Sequence, residues 1–104
     1  MRRNRGIDRR VERLIVASSM SIYGEGLYKR PSDGKVVAPL LRPEEQMAAG
    51  DFEVKDPETG EAMEPVPTPE NKPLHCTSFY ALGKKDQEEY TLLMSRIHNI
   101  PAVA

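Results

Sequence analysis

The chain has 104 residues, a formal net charge of −1 at pH 7, nine prolines and one cysteine. This length suits a single domain with one modest core, and the lone Cys76 excludes an internal disulfide framework. No window approaches the ~20 apolar residues of a membrane-spanning helix, so we expect no membrane span and a cytoplasmic protein, or one inside an intracellularly assembled particle.

The first predicted element is a basic amphipathic helix over about residues 4–19, inside an N-terminal segment of residues 1–20. Ile7, Val11 and Leu14 recur at the spacing of a buried helical stripe. Arginines fall on the opposite side of that helix. The first thirteen residues hold six of them, with a net charge of +4: Arg2, Arg3, Arg5, Arg9, Arg10 and Arg13.

Residues 22–63 are predicted to form two β-hairpins with a short helix between them. In the first hairpin, residues 26–30 pair with residues 35–40 around a turn at Pro31–Gly34. Pro43 should open the short helix and Gly50 should end it. A second turn mixture, DPETG, follows alternating apolar residues and predicts the second hairpin.

Four prolines between residues 64 and 73 predict an extended, polyproline-like connector. The last segment, residues 74–100, should contain a strand up to Tyr80, a break at Gly83, and a helix over about residues 84–99. That helix is expected to bury one apolar face made of Tyr90, Leu93, Met94 and Ile97. The resulting fold class is a small single α+β domain with N- and C-terminal amphipathic helices, two β-hairpins and a Pro-rich extended connector.

The six N-terminal arginines are the candidate binding site. Guanidinium groups bond phosphate oxygens two at a time, so this face could hold phosphate, nucleic acid or an acidic partner. Equally, it could be the solvated side of a helix. A mitochondrial transit peptide stays open as a further interpretation, although Asp8 and Glu12 count against it.

No catalytic, cofactor or metal site is predicted. His75 and Cys76 are adjacent in a predicted strand and should point to opposite faces, so they are not expected to share a metal ion with His98. Residues 44–70 carry nine acids against Lys55 but lack the spacing of a calcium loop. The glycines of YGEGLYK lack the residues of a phosphate-binding loop.

Three functions remain as hypotheses. The first is a non-enzymatic interaction and assembly component of a larger complex, such as a virion, a ribonucleoprotein or a multi-subunit machine, with other protein subunits as partners. The second is a small nucleic-acid-binding regulator that uses the Arg-rich helix. The third is an acidic inhibitor that mimics nucleic acid through residues 44–70.

Overall fold

A computed structural model describes residues 11–104, which form a small α+β structure with two sheets and a long C-terminal helix. Two compact units are present: residues 11–22 with 77–104, and Tyr23–Cys76. The elements in chain order are β1 (Leu14–Ile15), a 3-10 helix (Met20–Tyr23), β2 (Leu27–Lys29), β3 (Val36–Val37), α1 (Glu44–Ala48), β4 (Glu64–Val66), α2 (Phe79–His98) and β5 (Ala102–Val103).

In the first unit, β1 and β5 form a two-stranded parallel sheet beside α2. Leu14 lies opposite Ala102, and the Leu14 N–H donates to the carbonyl of Pro101 at 2.9 Å. The predicted helix over residues 4–19 is therefore wrong for residues 11–19, where the structure has a strand and irregular backbone. Residues 4–10 lie outside the described residues. β1 forms because it pairs with β5 near residue 104, and the apolar spacing within residues 4–19 contains no information about that partner.

Helix α2 is fixed at both ends by local hydrogen bonds. The Ser78 side chain accepts from the N–H of Ala81 at 3.0 Å, and Asn99 adopts a left-handed backbone with φ 52°. The predicted end at Asn99 is confirmed. The predicted start at residue 84 and the predicted strand up to Tyr80 are wrong, because the Ser78 cap starts the helix at Phe79 and Gly83 lies within it.

The second unit is built around a three-stranded antiparallel sheet in the order β3-β2-β4. The first predicted hairpin is confirmed: Tyr28 lies opposite Val37, and the turn between β2 and β3 contains Gly34 with φ 72°. The short helix is confirmed as α1, with Pro43 at its N-cap position and its last turn followed by Gly50.

The second predicted hairpin also forms, although its strands pair only briefly. The Asp56 N–H donates to the Glu61 carbonyl and the Met63 N–H to the Val54 carbonyl, each at 2.8 Å. Val54 and Met63 are buried. The chain then continues directly into β4, which pairs with β2 rather than leaving the unit.

The Pro-rich connector predicted for residues 64–73 is consequently not confirmed. Its first residues form β4, and later residues are bonded to the same unit. The Leu27 N–H donates to the hydroxyl of Thr68 at 3.2 Å, and the Lys72 Nζ donates to the carbonyl of Tyr23 at 2.9 Å. Proline lacks a backbone N–H but is tolerated in a short edge strand. β4 lies at the edge of the sheet, so it can contain Pro65.

A buried arginine joins the two hairpin turns of this unit. Arg30 precedes the first turn and Asp56 precedes the second, and only 7% and 2% of these residues are exposed. The Arg30 guanidinium donates to Asp33 at 2.6 Å, to Asp56 at 3.2 Å and to Glu58 at 3.1 Å. These four residues, Arg30, Asp33, Asp56 and Glu58, form what we call the turn cluster.

Charge pairing in the turn cluster shifts the pKa values of Arg30, Asp33 and Asp56. The hydrogen bond from Arg30 is the main cause that lowers the pKa of Asp33 to about 2. Burial opposes ionisation of Asp56, but hydrogen bonds from Thr59 and Arg30 outweigh it and lower the pKa of Asp56. Hydrogen bonds to the carboxylates, led by Asp33, raise the pKa of Arg30. Arg30, Asp33 and Asp56 are therefore ionised at neutral pH.

Candidate interaction surface

Most of the arginines predicted as a binding site lie outside the described part of the chain. Arg2, Arg3, Arg5, Arg9 and Arg10 are in that group. Arg13 is described, and it is exposed immediately before β1. The predicted common face of all six arginines is thus untested by the geometry.

The side chains considered as soft metal ligands are distributed over both units. His75 and Cys76 end the Tyr23–Cys76 unit, whereas His98 is the last residue of α2 in the other unit. Cys76 is partly buried and His75 is exposed. Within residues 11–104, no group of three or more His, Cys, Asp or Glu side chains is placed to hold a metal ion.

One face of α2 packs against its own unit, and this face is mostly small or polar. Ala81 is only 1% exposed. Lys84 donates from Nζ to the Ala17 carbonyl at 3.0 Å, and Ser95 donates from Oγ to the Ile100 carbonyl at 2.6 Å. Glu88 and Leu92, which share this side at a helical spacing of about 100° per residue, are also partly buried.

The opposite face of α2 is apolar and exposed. Phe79 is 96% exposed, Tyr90 70% and Ile97 60%, and Leu93 and Met94 are exposed as well. Residues 79, 90, 93, 94 and 97 lie within one sector of the helix at the helical repeat. We call this sector, from Phe79 to Ile97, the outer face. Its orientation reverses the usual arrangement, in which the apolar stripe of an amphipathic helix packs inward.

A hollow lies near the middle of the outer face, and charged side chains lie along one edge of it. Asp86, Glu89, Tyr90 and Leu93 line a hollow of about 220 Å³. Glu89 forms an ion pair with Lys85 at 3.4 Å, one turn earlier on the same helix. Arg96, in the last turn, is exposed on the same edge of the face as Glu89, because seven residues separate them.

The sequence prediction that Tyr90, Leu93, Met94 and Ile97 are buried is wrong. Their periodicity was identified correctly, but the short strands β1 and β5 pack against the other side of the helix. One sequence signal points to the difference: Ala81 and Ser95, on the inner side, are small enough for close approach of the backbone of the neighbouring strands. Phe79 was missed because it was assigned to a strand.

Comparison with known proteins finds no matching family model, no similar curated protein and no similar solved structure. Among the described residues, neither helix combines the length and the apolar character required to cross a bilayer.

Proposed function

We propose that this protein is a non-enzymatic interaction component of a larger assembly, such as a virion, a ribonucleoprotein or a multi-subunit machine. One observation carries the proposal: helix α2 directs its apolar side chains away from its own unit. Contiguous exposed apolar patches mark interaction sites on proteins, because leaving them in water is unfavourable. Aromatic residues such as Phe79 and Tyr90 are the types enriched at such interfaces.

The substitution Leu93→Glu tests this proposal. It places a charge at the centre of the outer face, so we expect at least tenfold less partner to be recovered when the tagged protein is captured from the cells that produce it. Leu40→Glu is the matched control, since Leu40 is an exposed leucine in the other unit. Equal recovery with wild type and Leu93→Glu, both folded by circular dichroism, contradicts an interaction role for this face.

A second candidate function is nucleic-acid binding through the arginine-rich N-terminus. The net charge of +4 over residues 1–13 favours it, since each neutralised phosphate releases counterions. We expect any binding to generic DNA or RNA to weaken with salt, with a log–log slope of about −0.9 per phosphate contacted on duplex DNA. Replacing Arg5, Arg9 and Arg13 with alanine should reduce that slope. Absence of binding at low salt eliminates this candidate.

A further inference from the structure

We infer that the outer face of α2 binds the same face of a second copy of this chain, with the two helices antiparallel. This inference rests on the proposed function and names the partner of that surface. Its starting point is the spacing of the outer face. Residues 79, 83, 86, 90, 93 and 97 alternate steps of four and three, the heptad spacing of a helix that packs along another helix, and four of the six are large apolar or aromatic residues, the exceptions being Gly83 and Asp86.

The hollow on the outer face has the form that such packing requires. The described residues that line it, Asp86, Glu89, Tyr90 and Leu93, stand at i, i+3, i+4 and i+7. Four side chains at this spacing form the hole that receives one side chain from a facing helix in a coiled coil. The hollow is partly open to solvent, and its volume of about 220 Å³ is large enough for a leucine side chain. The hollow therefore suits a leucine side chain, and the same helix exposes a leucine side chain at Leu93.

Charge decides the direction of the second helix. A parallel pair in register places the two Asp86 carboxylates against each other in the seam, where like charges are strongly unfavourable. An antiparallel pair centred between Thr91 and Leu92 separates them. In this arrangement Leu93 of each copy enters the hollow of the other copy, and Tyr90 lies opposite Leu93.

The same register pairs the remaining charges. Arg96 of one copy reaches Glu89 at the edge of the seam and Asp86 within the seam of the other copy, and two-fold symmetry repeats this contact. Both contacts lie on the same side of the seam, and in each of them one permanent cation meets two acids, of which Glu89 is also paired with Lys85 of its own helix. On this side of the helix, Lys85, Asp86 and Glu89 in the first half carry a net charge of −1, from two acids and one lysine, and Arg96 in the second half is positive. This self-complementarity is the reason for preferring a second copy over an unrelated partner.

The area available is consistent with a reversible dimer. Tyr90, Leu93, Met94 and Ile97 together expose on the order of 400 Å² per copy, about half of the ~800 Å² that each partner contributes to a standard interface. Asp86, Gln87, Glu89 and Arg96 flank these residues and supply polar area. We therefore expect a dimer that dissociates on dilution rather than a permanent one.

The dimer is tested by sedimentation equilibrium of the full chain over a wide concentration range. We expect wild type and the control Leu40→Glu to associate as dimers, and Leu93→Glu to remain monomeric. Arg96→Glu, which leaves the apolar residues intact, should raise the dissociation constant at least tenfold, whereas Arg96→Lys should change it less than threefold. Wild-type protein that is monomeric throughout, or a dimer that Leu93→Glu leaves intact, overturns the inference.

Disulfide trapping tests the direction and register in a Cys76→Ser background. A mixture of Glu89→Cys and Arg96→Cys chains should form a crosslinked dimer, and neither variant should do so alone. Crosslinking of Glu89→Cys with itself shows a different register and overturns the one proposed here. If the wild type is monomeric but still captures another protein in a Leu93-dependent manner, the dimer is overturned and the proposed function is not. Absence of any Leu93-dependent association overturns both the dimer and the proposed function.

Discussion

Replacing Arg30 with alanine is expected to lower the thermal unfolding midpoint by on the order of 10 °C. The Arg30 side chain is buried and donates to three carboxylates from both hairpin turns. Its loss leaves the buried Asp56 carboxylate with only the backbone and hydroxyl donors of Thr59, at 2.9 Å each. A buried charge that loses its partner is strongly destabilising, and the measurement is a thermal scan by circular dichroism.

The matched control is Lys55→Ala. Lys55 pairs with Asp51 at 2.6 Å, but both side chains are substantially exposed, so water replaces the lost partner. We expect the control to shift the midpoint by about 2 °C at most. Comparable shifts in Arg30→Ala and Lys55→Ala contradict the assignment of the turn cluster as the element that holds the two hairpins together.

The pH dependence separates charge pairing from loss of packing. Asp33 and Asp56 have folded-state pKa values below their ordinary value, so their contribution to stability is present above about pH 4 and is lost as the pH falls through the lowered pKa values, of which that of Asp33 is about 2. Wild type should therefore lose more stability than Arg30→Ala on acidification from pH 6 to about pH 2.5. A constant difference between the two proteins across this range indicates a packing effect instead.

The elements predicted correctly from the sequence are those whose formation depends on residues close to them in the chain. The turn at Pro31–Gly34 and the helix after Pro43 form because proline and glycine restrict or free the backbone locally. In contrast, Leu14–Ile15 becomes a strand because Ala102–Val103 pairs with it, across almost the whole chain. No local pattern at residue 14 contains that partner, and tertiary pairing outweighs the helical periodicity.

The outer face could be predicted only in part, for a related reason. Periodicity identified Tyr90, Leu93, Met94 and Ile97 as one side of a helix, and the structure agrees on that point. Periodicity does not say whether an apolar side faces the core of its own chain or another molecule. Here two-residue strands cover the side that carries Ala81, and the larger apolar side remains open.

In an ordinary amphipathic helix, substitutions of the large apolar residues lower the free energy of unfolding most. Here the small residue Ala81 should be the sensitive position and Leu93 the tolerant one. At concentrations where the protein is monomeric, we expect Ala81→Leu to reduce the free energy of unfolding by ~1–3 kcal/mol, because the larger side chain has no space beside the strands. Leu93→Ala should change it by less than about 0.5 kcal/mol, since an exposed leucine loses little packing. Urea unfolding followed by circular dichroism measures both.

Repeating the unfolding measurements at several protein concentrations provides an internal control for this prediction. Association of the outer face stabilises the folded state by mass action, so wild-type stability should rise with concentration while that of Leu93→Ala should rise much less. The deficit of Ala81→Leu should persist at every concentration, because it arises inside one unit. A loss of ~2–5 kcal/mol for Leu93→Ala in dilute monomer is the value typical of a buried leucine, and it contradicts the orientation of α2 on which the proposed function depends.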